Sequence, residues 1–389
     1  MSHEPTLAME NTLDNAESSS ARLVANQELS QKERVQAFID NALIEILDEL
    51  RTPDGRPTLT LKRRSRGVPF SINPENLALE AEEKEIRSCY SWPAAIIRGI
   101  AVIAEALQAG LVVSKRDIYY SDPACFGSQQ IVDTIIDDIA HTIGVDRAAL
   151  NVEAVAKGLV AGYYRLMTKA GEVMDARFST KDLLIPRTED VEAIDASEVK
   201  WVLILEKEAV YRRLSRSSYH TRAAAGKGVL VTGKGYPDLS TRAFVRRLLD
   251  ETRHLPEEEA PRFYALVDSD PDGMAIMSTY KYGSMAHARD NEKLNVSKLH
   301  WLGLRTSDVI RGADSFGDEA FIRLSPRDRK KAIAMLSNNP VWAENGPEQE
   351  WRAELQQMLM LNLKAEIEIL YDRQEGLEGW IDRKMTTSS

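Results

Sequence analysis

The sequence predicts an α/β chain in two folded parts, the first α+β and the second built on a parallel sheet. Three observations predict it. From Trp201 onward, short continuous apolar runs alternate with amphipathic segments, the pattern of strands buried on both faces and separated by helices. Before that point, three short helical segments lead into a Val-, Gly- and Tyr-rich stretch that suits a hairpin, which is the order of a winged helix. The length of 389 residues, 43% of them hydrophobic, suffices for two or three domains with a sizeable core.

Residues 1–30 are acidic and polar, rich in Ser, Asn and Glu, and carry no apolar period, so a disordered tail is expected. Over 31–50, Val35, Phe38, Ile39, Ala42, Leu43, Ile46, Leu47 and Leu50 recur at helical spacing among charges. This amphipathic helix either packs on its own domain or is offered to a partner. The stretch 51–70 reverses the charge, with Arg51, Arg56, Lys62, Arg63, Arg64 and Arg66 against Asp54 alone. It suits a solvated loop, a nuclear-import patch or a nucleic-acid arm. Helical period returns over 93–108 and is followed by Lys115-Arg116-Asp117-Ile118-Tyr119-Tyr120. Ser128 reads as the N-cap of a helix carrying Ile131, Val132, Ile135, Ile136 and Ile139. A further short helix after Gly144 leads into the expected hairpin, 151–165.

In the second part, strands are expected at 201–205, 229–231 and 263–267, and helices at 208–215, 239–249 and 274–282. From Ser325 the chain reads as mostly helical, over 326–336 and 348–371. No internal repeat is present. The expected division is a tail (1–30), the amphipathic helix with its basic linker (31–92), the winged-helix part (93–190) and the parallel-sheet part with a helical end (191–389).

The composition excludes several classes. No apolar run reaches the roughly 20 residues that span a bilayer; the most apolar stretch, 93–107, is interrupted by Arg98 and Glu105. No membrane partner is expected, and no basic region followed by an apolar one marks secretion. Cys89 and Cys125 are too far apart for a metal cluster or a disulfide framework, which fits a reducing compartment. The net charge of −10 taken alone argues against nucleic acid. Its distribution removes that argument: Glu4, Glu10, Asp14, Glu17 and Glu28 weight the tail, Glu257, Glu258 and Glu259 a loop, while basic residues gather at 51–66.

Parallel sheets place ligands at the carboxyl ends of their strands. Glu206 stands at one such end, and Asp268 and Asp270 at another. Acidic residues also simply start loops. Three carboxylates converging in one crevice, however, repel unless a divalent cation neutralises them. Oxygen donors without His or Cys indicate Mg²⁺, with Mn²⁺ as a substitute. Asp272, beside Gly273, suits a helix N-cap. Tyr119 and Tyr120 follow an Ile and would ordinarily be packing residues. Arg116, one helical turn upstream, can stabilise a developing phenolate or hold a phosphate. The turn Gly233-Lys234-Gly235-Tyr236-Pro237-Asp238 lacks the Walker spacing, and Lys234 and Tyr236 on it suit contact with DNA as well as a plain strand-to-helix turn.

Taken together these residues resemble a family. Lys115-Arg116-Asp117-Ile118-Tyr119-Tyr120, Leu205-Glu206-Lys207-Glu208-Ala209-Val210-Tyr211, Thr232 to Asp238 with Thr241-Arg242, and Val267-Asp268 to Gly273 occur in the order found in the A subunit of topoisomerase VI and the eukaryotic meiotic recombination proteins related to it. The resemblance spans 93–303. It implies a CAP-like winged helix followed by a Toprim domain, a Rossmann-like parallel sheet. It implies a DNA transesterase in which Tyr120 attacks a phosphodiester, leaving a 5′-phosphotyrosyl link and a free 3′-hydroxyl. Arg116 would support the scissile phosphate, and Glu206, Asp268 and Asp270 would bind Mg²⁺. Lys157, Lys234 and Tyr236 would contact double-stranded DNA. A second copy would complete a composite site, and a topoisomerase VI B-like subunit would engage the helix 31–50. The acidic start, the helix and the basic segment look like the meiotic branch, which implies accessory meiotic break proteins and action on chromosomes in the nucleus. Alternatives are an A subunit proper with ATP-dependent strand passage, a catalytically silent scaffold of the same fold, and a nuclease using metal-activated water.

Overall fold

The computed structural model describes residues 30–51, 59–63, 70–81, 86–89, 93–152, 156–177, 179, 182–284, 288, 290–310 and 322–387. The expected tail, but for Ser30, lies outside the described residues, as do Arg56, Arg64 and Arg66 of the basic stretch. The chain forms two compact units: Met1–Gly67 with Glu83–Ala154, and Val68–Glu82 with Val155–Ser389. Four short strands near the start are shared between them. β1 (Thr60–Arg63) and β4 (Ile86–Cys89) pair antiparallel in the first unit, while β2 (Phe70–Ile72) and β3 (Leu79–Ala81) pair antiparallel in the second.

The first unit holds α1 (Gln31–Leu50), α2 (Pro93–Ala109), α3 (Lys115–Ser121), α4 (Pro123–Phe126) and α5 (Gln129–Ile143). α1 starts on a capping box: the Ser30 side chain accepts from Glu33 N–H, and the Glu33 carboxylate accepts from Ser30 N–H. One stripe of α1 (Val35, Ile39, Ala42 and Ile46) is buried. Leu43, Ile44, Leu47 and Leu50 stay exposed, so the helix both packs on its own unit and keeps a second apolar face. α5 buries Val132, Ile135, Ile136 and Ile139 against Ile96, Ile100 and Ile103 of α2 and Phe126 of α4. Ser128 does occupy the N-cap position of α5, but its side chain makes no capping bond. The β1–β4 ribbon lies on α5, with Lys62 N–H donating to Thr142 Oγ1 at 2.9 Å.

The second unit is built on a six-stranded sheet in the order β13-β12-β10-β11-β5-β8. Its strands are β5 (Leu159–Gly162), β8 (Leu183–Leu184), β10 (Trp201–Leu205), β11 (Gly228–Thr232), β12 (Arg262–Leu266) and β13 (Leu299–Gly303). The four from β10 to β13 run parallel, three of them at the apolar runs, and β5 joins antiparallel to β11 with β8 antiparallel to β5. Every residue of β10 and β11 is buried because the sheet is covered on both faces. Alternation decides which face: Val202 and Ile204 enter one core with Val229, Val231 and Phe263, and Trp201, Leu203 and Leu205 enter the other with Leu230 and Tyr264.

The crossovers are α6 (Glu208–Arg216) with α7 (Tyr219–Arg222), then α8 (Leu239–Glu251), then α9 (Pro271–Lys281) with α10 (Asn291–Leu294). The C-terminal region completes both cores. α11 (Pro326–Asn338) and α12 (Gln349–Leu361) supply Met335, Trp351 and Leu355 to one, and α13 (Gly376–Thr387) supplies Trp380 and Ile381 to the other.

Three sequence expectations are corrected. Among the described residues no hairpin forms over 151–165: β5 pairs with β11 and β8, while β6 (Arg165–Thr168) pairs with β7 (Val173–Asp175) and β9 (Val191–Asp195) in a separate sheet. The boundary moves with it, since 155–190 fold with the second unit rather than the first. The helix expected over 348–371 stops at Leu361, because Asn362 adopts a left-handed backbone with φ 55°; the chain then continues as β15 (Leu363–Lys364), paired with β14 (Ile322–Arg323), and a short 3₁₀ turn at Ile367–Leu370.

Candidate active site

In the first unit, α3 is held from several sides. The Ser114 side chain accepts from Asp117 N–H at 3.0 Å, and the Asp117 carboxylate accepts from Ser114 N–H at 2.9 Å. Ile118 is fully buried, and Tyr119 packs on the same core. Lys115 ion-pairs at 2.6 Å with Asp137 of α5, a carboxylate that Arg147 also holds at 2.8 Å. What these anchors leave free is the opposite face. Arg116 and Tyr120 stand four residues apart on it, both exposed, and Tyr120 shows 65% of its surface. The Tyr120 ring sits 5.3 Å from that of Tyr119, tilted by 56°. Of the two tyrosines, then, Tyr119 is the packing residue and Tyr120 the accessible phenol.

In the second unit, the parallel pairing of β10 with β12, Leu205 opposite Leu266, sets Glu206 and Asp268 side by side at the carboxyl ends. Asp268 N–H donates to Glu206 Oε2 at 2.9 Å. Gly273 makes this closeness possible: a Cβ there would lie 2.5 Å from the Asp268 carbonyl oxygen and 2.9 Å from Glu206 Oε2. The two Asp268 oxygens are also held, Oδ1 by Ile367 N–H at 2.9 Å and Oδ2 by the Lys207 ammonium at 3.0 Å. Burial, helped by the Asp268 charge, pushes the Glu206 carboxyl up to about 8. Burial likewise raises Asp268 to about 6, against the pull of Lys207.

Asp270 takes the N-cap of α9, its carboxylate accepting from Gly273 N–H at 2.7 Å, and burial raises its pKa as well. The N-cap is therefore Asp270 and not Asp272, because Pro271 occupies the first helical position. Asp272 lies in the first turn and ion-pairs with Lys331. Among the described residues, no group of three or more His, Cys, Asp and Glu side chains converges tightly enough to hold a metal as the side chains stand. Each of the three carboxylates is instead occupied by a protein donor. The donor set still fits a hard divalent cation: it is all oxygen, half-buried or buried, kept open by a glycine, and costly to ionise without a counter-charge.

The expected DNA contacts gather around one turn. Lys234 takes a left-handed backbone (φ 54°), and its ammonium lies 3.3 Å from Glu208. Lys157 N–H donates to Asp238 at 3.0 Å and its exposed ammonium to the Lys234 carbonyl at 3.4 Å. The Tyr236 ring is exposed, its hydroxyl donating to Asp272 at 3.3 Å and accepting from Lys331 at 2.5 Å.

Residues 201–378 match the family model for the Toprim domain shared by Spo11 and the topoisomerase 6 A subunit, and residues 94–152 match the one described as Type IIB DNA topoisomerase. The chain is 39% identical over 277 residues to the meiotic recombination protein SPO11-1 of Oryza sativa subsp. indica, covering 71% of this chain and 68% of that one. It is 31% identical over 354 residues to the meiotic recombination protein SPO11 of Homo sapiens, 88% and 84% of the two chains. To the DNA topoisomerase 6 A subunit of Arabidopsis thaliana it is 32% identical over 274 residues, 70% and 60% of the two. The chain belongs to the family of Spo11 and the topoisomerase VI A subunit.

Its Toprim domain opens on β10 and contains Glu206, Asp268 and Asp270, while the Type IIB match covers α2 to α5 with Arg116 and Tyr120. Two basic residues of this family member's acidic region lie outside the expected site set. Lys207 adjoins Glu206 in the chain, a signal that was available. Lys331 lies 59 residues from Asp272 and left no signal.

Proposed function

We propose that this protein is a topoisomerase-like DNA transesterase that makes double-strand breaks in meiosis and so initiates recombination. Its first unit would serve as the DNA-binding part through its helices, without the wing expected at 151–165. The observation that carries the reading is the coexistence of an accessible Tyr120, on a helix otherwise anchored, with a strand-end pair of carboxyls that burial makes costly to ionise. Relatives named for meiotic recombination align over up to about nine-tenths of this chain.

In the proposed step, Tyr120 Oη gives up its proton and attacks phosphorus, the P–O3′ bond breaks, and the leaving 3′-oxygen takes up a proton. One phosphodiester is exchanged for another, so cleavage itself needs no external energy source. Arg116, one turn away on the same exposed face, would hold a non-bridging phosphate oxygen and offset charge in the transition state. Toprim domains in general bind metal, and Glu206, Asp268 and Asp270 would hold the Mg²⁺ here, with Mn²⁺ as a substitute; the ion would neutralise the phosphodiester's charge. Asp270 would leave its capping bond to do so. Lys157, Lys234 and Tyr236 would meet the DNA backbone from the turn after β11. Two copies would act on the two strands, the Tyr120 of one with the acidic centre of the other, and a B-like subunit would dock on the exposed face of α1.

The test is covalent trapping. Full-length protein with its B-like partner, Mg²⁺ and supercoiled DNA should give protein linked to 5′ ends after denaturation. Tyr120→Phe should bind DNA as before and give no adduct. Adducts at the normal level from that variant would overturn the assignment. Breaks without covalent protein would point to a hydrolytic nuclease, and strand passage under ATP to a topoisomerase VI A subunit.

A further inference from the structure

Lys207 has three carboxylate partners: Asp268 Oδ2 at 3.0 Å, Glu366 Oε2 at 3.0 Å and Glu368 Oε2 at 2.7 Å. The two glutamates flank Ile367, whose N–H holds the other Asp268 oxygen, and Ala365 exchanges two backbone bonds with Ser269, at 2.9 and 3.1 Å. The segment 365–368 is thus fastened to the acidic loop at three points. Lys207 itself is mostly buried, while Glu366 and Glu368 are half-exposed.

We propose that Lys207 is a positioning residue that serves as a resident counter-cation for Asp268 and gives way when a divalent cation arrives, keeping Glu366 and Glu368 as its remaining partners. This rests on the reading of Glu206, Asp268 and Asp270 as the metal-binding set. Each oxygen of Asp268 already accepts a bond, so a cation that ligates Oδ2 would meet the ammonium at close range and repel it from Asp268. A displaced ammonium with no other partner would be left without a counter-charge beside an incoming dication. Glu366 and Glu368 remove that penalty, since Lys207 already reaches both. The arrangement keeps Asp268 paired with a cation before the metal binds and makes metal entry an exchange of cations.

Opposite signs follow for two kinds of variant. Lys207→Met removes the competitor and should tighten Mn²⁺ binding about fivefold. Glu366→Gln with Glu368→Gln leaves Lys207 to Asp268 alone and should weaken Mn²⁺ binding about fivefold, the scale of one partly screened ion pair. Loss of remote negative charge alone would also weaken binding, but equally in any background. When Lys207 is already Met, the glutamate pair should matter by less than about twofold.

The experiment is direct Mn²⁺ titration of full-length protein, followed by electron paramagnetic resonance, for the wild type, Lys207→Met, the double glutamine variant, the triple variant and Asp268→Asn. Equal effects of the glutamate substitutions in both backgrounds, or weaker binding by Lys207→Met, would overturn the proposal. If Lys207→Met does not fold, the half-exposed glutamate positions still decide: unchanged Mn²⁺ affinity in the double glutamine variant overturns it. Wild-type protein that binds no Mn²⁺, or Asp268→Asn that binds as well as wild type, would instead defeat the metal-binding reading itself.

Discussion

Glu206 shows how one residue's environment becomes a property of the whole chain. Its carboxyl is raised from 4.5 to about 8 by burial and by Asp268. A raised carboxylate pKa means that the folded state binds the proton more tightly than the unfolded state. The associated stability is fully present below about pH 4.5 and is lost as the pH rises through about 8, by up to about 1.4 kcal/mol per unit in that window. Metal-free Glu206→Gln should therefore melt at a higher temperature than metal-free wild type at pH 8, and the difference should shrink toward zero at pH 5. Mg²⁺ should stabilise the wild type more at pH 8 than at pH 5 and the variant little at either. Thermal melts with and without Mg²⁺ at the two pH values check this; a wild type that gains stability between pH 5 and 8 relative to the variant would contradict the assigned environment. At this scale the sequence was informative where chemistry and strand ends coincide. Glu206 and Asp268 could be paired on paper because each closes an apolar run. That Asp270, not Asp272, caps α9 depends on where Pro271 starts the helix, and that Lys331 meets Asp272 depends on tertiary packing.

Elements were legible in proportion to how local their causes are. α1 runs over the expected 31–50 because its capping box and its apolar spacing both lie within the segment. β10, β11 and β12 were visible as apolar runs because a strand covered on both faces must be apolar throughout. The hairpin failed for the opposite reason. The stretch Leu159 to Thr168 has strand propensity, but propensity does not specify a partner, and β5 found β11, which lies some 70 residues on in the chain. The junction of β12 with α9 gives an element-scale prediction. Gly273→Ala would place a methyl group 2.5 Å from the backbone oxygen of Asp268, which cannot swing away as a side chain can. The first turn of α9 should shift, at a cost of about 1–3 kcal/mol, and Glu206 should lose the Asp268 N–H bond. Chemical denaturation should register the loss of stability, and Mn²⁺ titration a weakened site. A variant as stable as wild type with unchanged Mn²⁺ affinity would show that the close packing there is dispensable.

At the scale of the molecule, chain order and unit membership part company. The ribbon β2–β3 precedes α2 in sequence yet belongs to the second unit. Leu79 N–H donates to the Tyr282 carbonyl at 2.9 Å, Asn291 Nδ2 donates to the Leu79 carbonyl at 2.9 Å, and the Leu79 side chain is buried in the sheet's core. Nothing in a 15-residue stretch could announce an attachment more than 200 residues away, which is why the expected linker 31–92 concealed it. The consequence is measurable by truncation. A chain beginning at Val68 and one beginning at Glu83 both lack α1 and β1, so they differ only in the ribbon. Losing a buried leucine together with these backbone bonds should cost the second unit about 2–4 kcal/mol. For a unit of this size that is a fall of roughly 5–10 °C in its melting temperature. Trp201, Trp301, Trp342, Trp351 and Trp380, five of the six tryptophans, belong to the second unit, so intrinsic fluorescence reports its melting. The shorter chain should melt first, and equal melting temperatures would mean that the ribbon rests on the second unit without stabilising it.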